Sequence, residues 1–122
     1  MVRIAGALFF LAATISSSSA ANCLVPNIHL IPDVTVTGYM YVKSGKRCSI
    51  VPDNSPGGTQ GVDITQRPSN GTLELYRLGV RYTPRPDFVG KDSFGYLRHS
   101  IDHRTNRPIT HPVMIEVTVE PK

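Results

Sequence analysis

The sequence predicts an all-β domain, an antiparallel sandwich of about seven short strands, behind an export signal. Three observations carry this. Past residue 21, apolar side chains recur with period two and never hold helical spacing for long. Glycine and proline, ten of each, interrupt every segment. The two cysteines lie in a chain whose start has the plan of a secretory signal, so a disulfide is expected rather than two thiols.

The start of the chain sets the compartment. Met1-Val2-Arg3 is a short positive opening, followed by an apolar run over 4–15 and then small residues over 16–21. That run is about a dozen residues, whereas a helix that spans a bilayer needs roughly 20. It therefore reads as a cleaved signal peptide, residues 1–21. Ser18 with Ala20, or Ser19 with Ala21, fits the small-x-small cleavage rule. A lipid-modified Cys23 is set aside, because Asn22 precedes it and Ala20 stands where a leucine-like residue is normal. No later stretch is long and apolar enough for a membrane span, so residues 22–122 are expected to form a single exported domain, periplasmic or secreted. Cys23 and Cys48 are its expected disulfide. A two-cysteine metal site has no C-x-x-C spacing to support it.

The first strand candidate covers 33–42, where Val34, Val36 and Met40 share a parity that Gly38 weakens. Shorter ones follow at 47–51, 62–66, 72–76, 79–83 and 93–101. The last is the clearest: Val113, Ile115, Val117 and Val119 alternate with Met114, Glu116, Thr118 and Glu120. Between them, 52–58 reads as a loop. Asn70-Gly71 is expected to form a tight hairpin turn, and Leu78-Gly79 to serve similarly before Val80 and Tyr82. If Phe94 lies opposite Val117 and Tyr96 opposite Ile115, the last hairpin turns at Thr105-Asn106.

Two segments carry a longer pattern: Val62-Asp63-Ile64-Thr65-Gln66-Arg67-Pro68-Ser69-Asn70-Gly71-Thr72-Leu73, and Arg81-Tyr82-Thr83-Pro84-Arg85-Pro86-Asp87-Phe88-Val89-Gly90-Lys91-Asp92-Ser93-Phe94-Gly95-Tyr96. With the alternating last strand, this resembles the bacterial cadherin-like Ig domains found as tandem repeats in large surface proteins, here as a single copy. The resemblance implies an Ig-like antiparallel β-sandwich, with Tyr82, Pro84, Phe88, Gly90, Asp92, Phe94 and Tyr96 as a structural corner. The residues support that role independently. Pro84 and Pro86 force an extended exit from a strand, Gly90 permits a turn, and Phe88 can fold back over the end of the sandwich. Asp92 and Ser93 can accept backbone donors where the next strand begins, and Phe94 and Tyr96 aim two rings at the core. The acidic linkers that hold calcium between tandem relatives have no counterpart over 22–33, and Asp33, Asp53, Asp63, Asp87 and Asp92 read as scattered turn acids.

Function is bounded rather than specified. The formal charge is +4 at pH 7, and loss of Arg3 with the signal lowers it by one. A basic surface favours acidic partners. The hairpin over 98–111 concentrates this charge, so Arg98, His103, Arg104 and Arg107 are the candidate partner-binding residues, toward a protein or an anionic glycan of the envelope. Specific nucleic-acid binding is not expected, since the cations are not interleaved with a stacking platform. The alternative is a small periplasmic metal-binding protein using His99, His103 and His111. Strand parity speaks against it, placing His99 on the outer face opposite Pro112 and His111 opposite Ser100 with inward parity. Ser93 and Ser100, the hydroxyls nearest the histidines, come with no nucleophile-elbow glycines and no oxyanion loop. The expectation is a non-enzymatic binding or structural module with no cofactor.

Overall fold

The computed structural model describes residues 21–52 and 58–122. The expected signal peptide up to residue 20, and Asp53 with the rest of 53–57, lie outside the described residues. The described residues hold eight strands and no helix: β1 (Cys23–Leu24), β2 (Val36–Lys43), β3 (Cys48–Ile50), β4 (Gly61–Gln66), β5 (Gly71–Tyr76), β6 (Gly79–Pro84), β7 (Gly90–Asp102) and β8 (Arg107–Glu120). They form a five-stranded sheet in the order β1-β2-β8-β7-β4 and a three-stranded sheet in the order β3-β6-β5. The chain thus changes sheet after β2, β3, β4 and β6. Each expected strand is present with its ends moved by a few residues. Only β1 is new, because two residues are too few to carry a period.

One expectation about pairing is corrected. The sheets are not antiparallel throughout, because β2 runs parallel to β8, from Val36 opposite Val113 to Lys43 opposite Glu120. The antiparallel expectation comes from hairpins, where a short loop dictates direction. β2 and β8 are distant in sequence, and a long connection permits either direction.

Period-two alternation places the core. Val113, Ile115, Val117 and Val119 of β8 are buried, as are Phe94 and Tyr96 of β7 and Met40 and Val42 of β2. The three-stranded sheet contributes Cys48, Leu73, Val80 and Tyr82 to the same cluster, so the two sheets share one apolar interior. Tyr82 stacks on Phe94 across it, with ring centroids 5.7 Å apart. Gly38 does not weaken β2: a side chain there would collide with Ile28, so the glycine lets the 25–30 arm pack against the sheet.

The β7–β8 register differs from expectation by two residues. Phe94 lies opposite Ile115 and Tyr96 opposite Val113, and the hairpin closes at Asp102 opposite Arg107. The turn takes four residues, 103–106. Asn106 accepts a left-handed φ of 58° and its N–H bonds the Asp102 carbonyl at 2.6 Å. A shift of two preserves the face of every side chain, so the parity argument for the histidines survives while their partners change.

Two turns are also corrected. Asn70-Gly71 is no hairpin turn, because β4 and β5 belong to different sheets and neither residue has positive φ. The β5–β6 hairpin turns instead on Arg77 (φ 49°) and Leu78 (φ 58°), with Gly79 opening β6. Two left-handed residues match the strand twist, and that match overrides their preference for the right-handed region.

The corner from Tyr82 to Tyr96 is built around Asp92, which is buried. Its carboxylate accepts the N–H groups of Ser69, Asn70 and Ser93, each at 2.9 Å, and the Tyr82 hydroxyl at 2.7 Å. Burial first, and then this bond to Asp92, push the Tyr82 hydroxyl far above its usual range, so it remains a donor. Gly90 turns with φ 142°, and Phe88, half-buried, packs beside it against the core.

Cys23 and Cys48 are bonded, with their Cα atoms 5.2 Å apart. The bond joins β1, at the edge of the larger sheet, to β3, at the edge of the smaller one. An intramolecular disulfide is compatible with export.

Candidate functional site

Two places in the fold gather chemistry, and both are set by the β7–β8 hairpin. Pairing of β7 with β4 ends at His99 opposite Gly61, while Asp33 bonds β8 at Thr110. Beyond these points, among the described residues, Ser100 to Asp102 pair only with Arg107 to Ile109. The hairpin therefore projects past its neighbours as a two-stranded arm. At its tip the Arg104 N–H bonds the Asp102 carboxylate at 2.9 Å. That backbone bond, helped by Thr105, holds Asp102 below the usual carboxylate range and ties its charge to the turn. His103, Arg104 and Arg107 are all exposed there.

The structure does not bring the remaining candidates to this tip. Arg98, expected among the tip cations, lies on β7 with the inward parity of Phe94 and Tyr96, opposite His111. His99 faces outward, with Nε2 2.7 Å from Asp63 Oδ2. His111 faces inward, with Nε2 3.1 Å from Ser100 Oγ. The three histidines of the metal alternative are thus divided between two faces and the tip. Among the described residues, no three His, Cys, Asp or Glu side chains gather closely enough to hold a metal ion.

His111 gives the domain a pH dependence. Burial, and then the positive charge of Arg98, lower its pKa, while the Ile31 carbonyl and Asp33 act in the opposite direction. A histidine depressed in the folded state stays neutral there while the unfolded chain, near 6.5, takes up its proton. His111 therefore favours the fold above pH 6.5, and that contribution is lost as pH falls through the folded-state pKa. Urea midpoints at pH 7.5 and 5.5 should drop on acidification, and His111→Gln should shrink the drop. An unchanged pH difference in the variant would contradict this assignment.

The second place is a cavity of about 320 Å³ beside the inward face of β7. The 25–30 arm, with Val25 and Ile28, forms one wall, and Ser49 and Ile50 of β3 form another. Val62 of β4 and Tyr96 of β7 line it from the larger sheet, while Val51 and Leu78, both about half exposed, stand at its rim. Arg98 supplies the cation. Its Nε is shut off from solvent and meets no acceptor among the described residues. The one contact of salt-bridge length among the described residues is that of His99 with Asp63, so Arg98 has no carboxylate beside it there. Tyr96 is pushed up to about 12 by burial, with the Arg98 charge opposing, and its hydroxyl stays protonated at neutral pH. Sequence reasoning missed this cavity. The parity that Arg98 shares with Tyr96 was the available signal that its side chain turns inward.

Among the described residues, no helix is long and apolar enough to cross a membrane. Comparisons with protein-family models, curated proteins and solved structures find no match.

Proposed function

We propose that this chain is an exported, non-enzymatic Ig-like module that binds an anionic envelope polymer through the tip of the β7–β8 hairpin. The strand order is compatible with the Ig-like reading, since the chain alternates between two sheets whose buried residues form one cluster. The Tyr82–Asp92 bond supports it too, latching β6 to β7 across the corner between the sheets. The disulfide and the signal-like start favour export. The observation that carries the binding reading is the projecting arm itself. Among the described residues, 101–108 pair with no strand but each other, and this stretch of the hairpin ends in exposed His103, Arg104 and Arg107, a shape and charge that the shared core does not require.

Arg104→Ser with Arg107→Ser should weaken binding to a soluble polyanionic glycan by at least about tenfold, because each removes a charge-assisted contact. Binding of the unchanged protein should fall as salt rises. Isothermal titration at two salt concentrations reads both effects. Binding that neither the substitutions nor salt alters would overturn the reading, as would selective binding of a protein partner through another surface.

A further inference from the structure

We infer that the cavity beside Arg98 is a binding site for a small, free monocarboxylate with an apolar body. Its carboxylate would meet the Arg98 guanidinium, and its hydrocarbon part would lie against Ile50, Val62 and Leu78. The argument begins with the strand. Arg98 occupies an inward position between Tyr96 and Ser100, both buried, where an apolar side chain would extend the core. Arg98 is half-buried there and keeps its charge, and its Nε, shut off from solvent, is a donor whose burial without an acceptor is costly. Among the described residues no carboxylate offsets the charge, and the Nε finds no acceptor. Arg98 is one of the residues that border the cavity.

The shape of that space selects the ligand. At about 320 Å³ it stands at the small end of ligand pockets, which suits a small ligand. Aliphatic side chains such as Ile50, Val62 and Leu78 share its walls with polar groups, so the ligand carries an apolar body beside its carboxylate. Arg98 is the one cation among the described residues that line it, and a single planar fork matches one carboxylate better than a doubly charged phosphate. The cavity lies apart from Arg104 and Arg107, so this site does not depend on the polymer-binding tip.

The test is a ¹⁵N–¹H titration of the intact, oxidised protein with 4-phenylbutyrate and with its neutral counterpart, 4-phenylbutanol. The carboxylate should shift the amides of Ile50, Val62, Tyr96 and Arg98 and bind at least about tenfold more tightly than the alcohol. Arg98→Gln should abolish that preference while leaving alcohol binding unchanged. Leu78→Asp provides a variant that does not touch the interior. Aspartate tolerates the positive φ at this position. Loss of the apolar contact should weaken acid and alcohol alike, and the added charge at the rim should weaken the acid further, so the acid's preference over the alcohol should shrink. The Arg104→Ser, Arg107→Ser protein should bind 4-phenylbutyrate like the unchanged protein, which separates this site from the tip. Equal binding of acid and alcohol, shifts confined to other residues, or a preference that survives Arg98→Gln would overturn the inference. So would a short peptide ending in a free leucine carboxylate that uses Arg98 when the small acid does not.

Discussion

Replacing Phe94 with alanine is expected to lower the unfolding free energy by about 3–5 kcal/mol, a large part of what holds a domain of this size. Phe94 has no exposed surface. Its ring stacks on Tyr82 at 5.7 Å, approaches Tyr96 at 6.5 Å, and stands opposite Ile115 on β8. It is therefore the ring through which β7 packs on the smaller sheet, beside the polar link from Asp92 to Tyr82. Truncation removes the buried ring and leaves a cavity between sheets whose positions are fixed by the disulfide and the β6–β7 corner. The surroundings have little freedom to close it. Phe94→Leu, which keeps most of the volume, should cost much less. Urea unfolding followed by near-UV circular dichroism measures both. A loss under about 1 kcal/mol for alanine would mean that Phe94 does not bridge the sheets.

Asp92→Ala is expected to cost a comparable amount, about 3–5 kcal/mol, by a different route. No large apolar surface is lost. Instead the N–H groups of Ser69, Asn70 and Ser93 and the Tyr82 hydroxyl lose their shared acceptor. Each donor left unsatisfied in a buried site carries a desolvation penalty of about 1–3 kcal/mol, which partial access to water reduces at the chain-exposed end. Tyr82→Phe removes one donor and leaves the carboxylate with three, so it should cost about 1 kcal/mol. The double variant, Tyr82→Phe with Asp92→Ala, should then be less damaging than the sum of the singles, since the orphaned hydroxyl is gone. Strict additivity in that cycle would contradict the shared-acceptor account.

The distribution of what the sequence reveals follows from these same residues. Alternation along β8 and the paired rings of β7 place the core because a strand buried on one face must alternate. The corner was legible because prolines, Gly90 and Asp92 each have a strong local preference. What escaped is non-local. Nothing within β2 states that its partner is β8 or that the two run parallel. The hairpin register slipped by two because a four-residue turn closed by Asp102 and Asn106 competes with a two-residue turn at Thr105-Asn106, and only packing decides between them. At the candidate sites, the exposed cations of the tip were legible as a charge cluster. Arg98 was grouped with them by proximity in sequence, although its parity places it inside. The cavity draws on the 25–30 arm, β3, β4, the β5–β6 turn and β7, and no period or spacing connects such distant segments.

The parallel pairing of β2 with β8 has a consequence for how the domain comes into being. β8 is the last of the described strands in sequence, yet it occupies the middle of the five-stranded sheet, between β2 and β7. Until residues 113–120 are available, β2 and β7 both present open edges, and the buried faces of Met40, Val42, Phe94 and Tyr96 have no neighbour between them. Such edges invite pairing with other chains. The link between Cys23 and Cys48 spans only 25 residues and can close long before that. Assembly is thus governed by its most distant contact, which belongs to the slow, milliseconds-to-seconds class of β folding, and a chain interrupted before β8 is an aggregation hazard rather than a smaller stable domain.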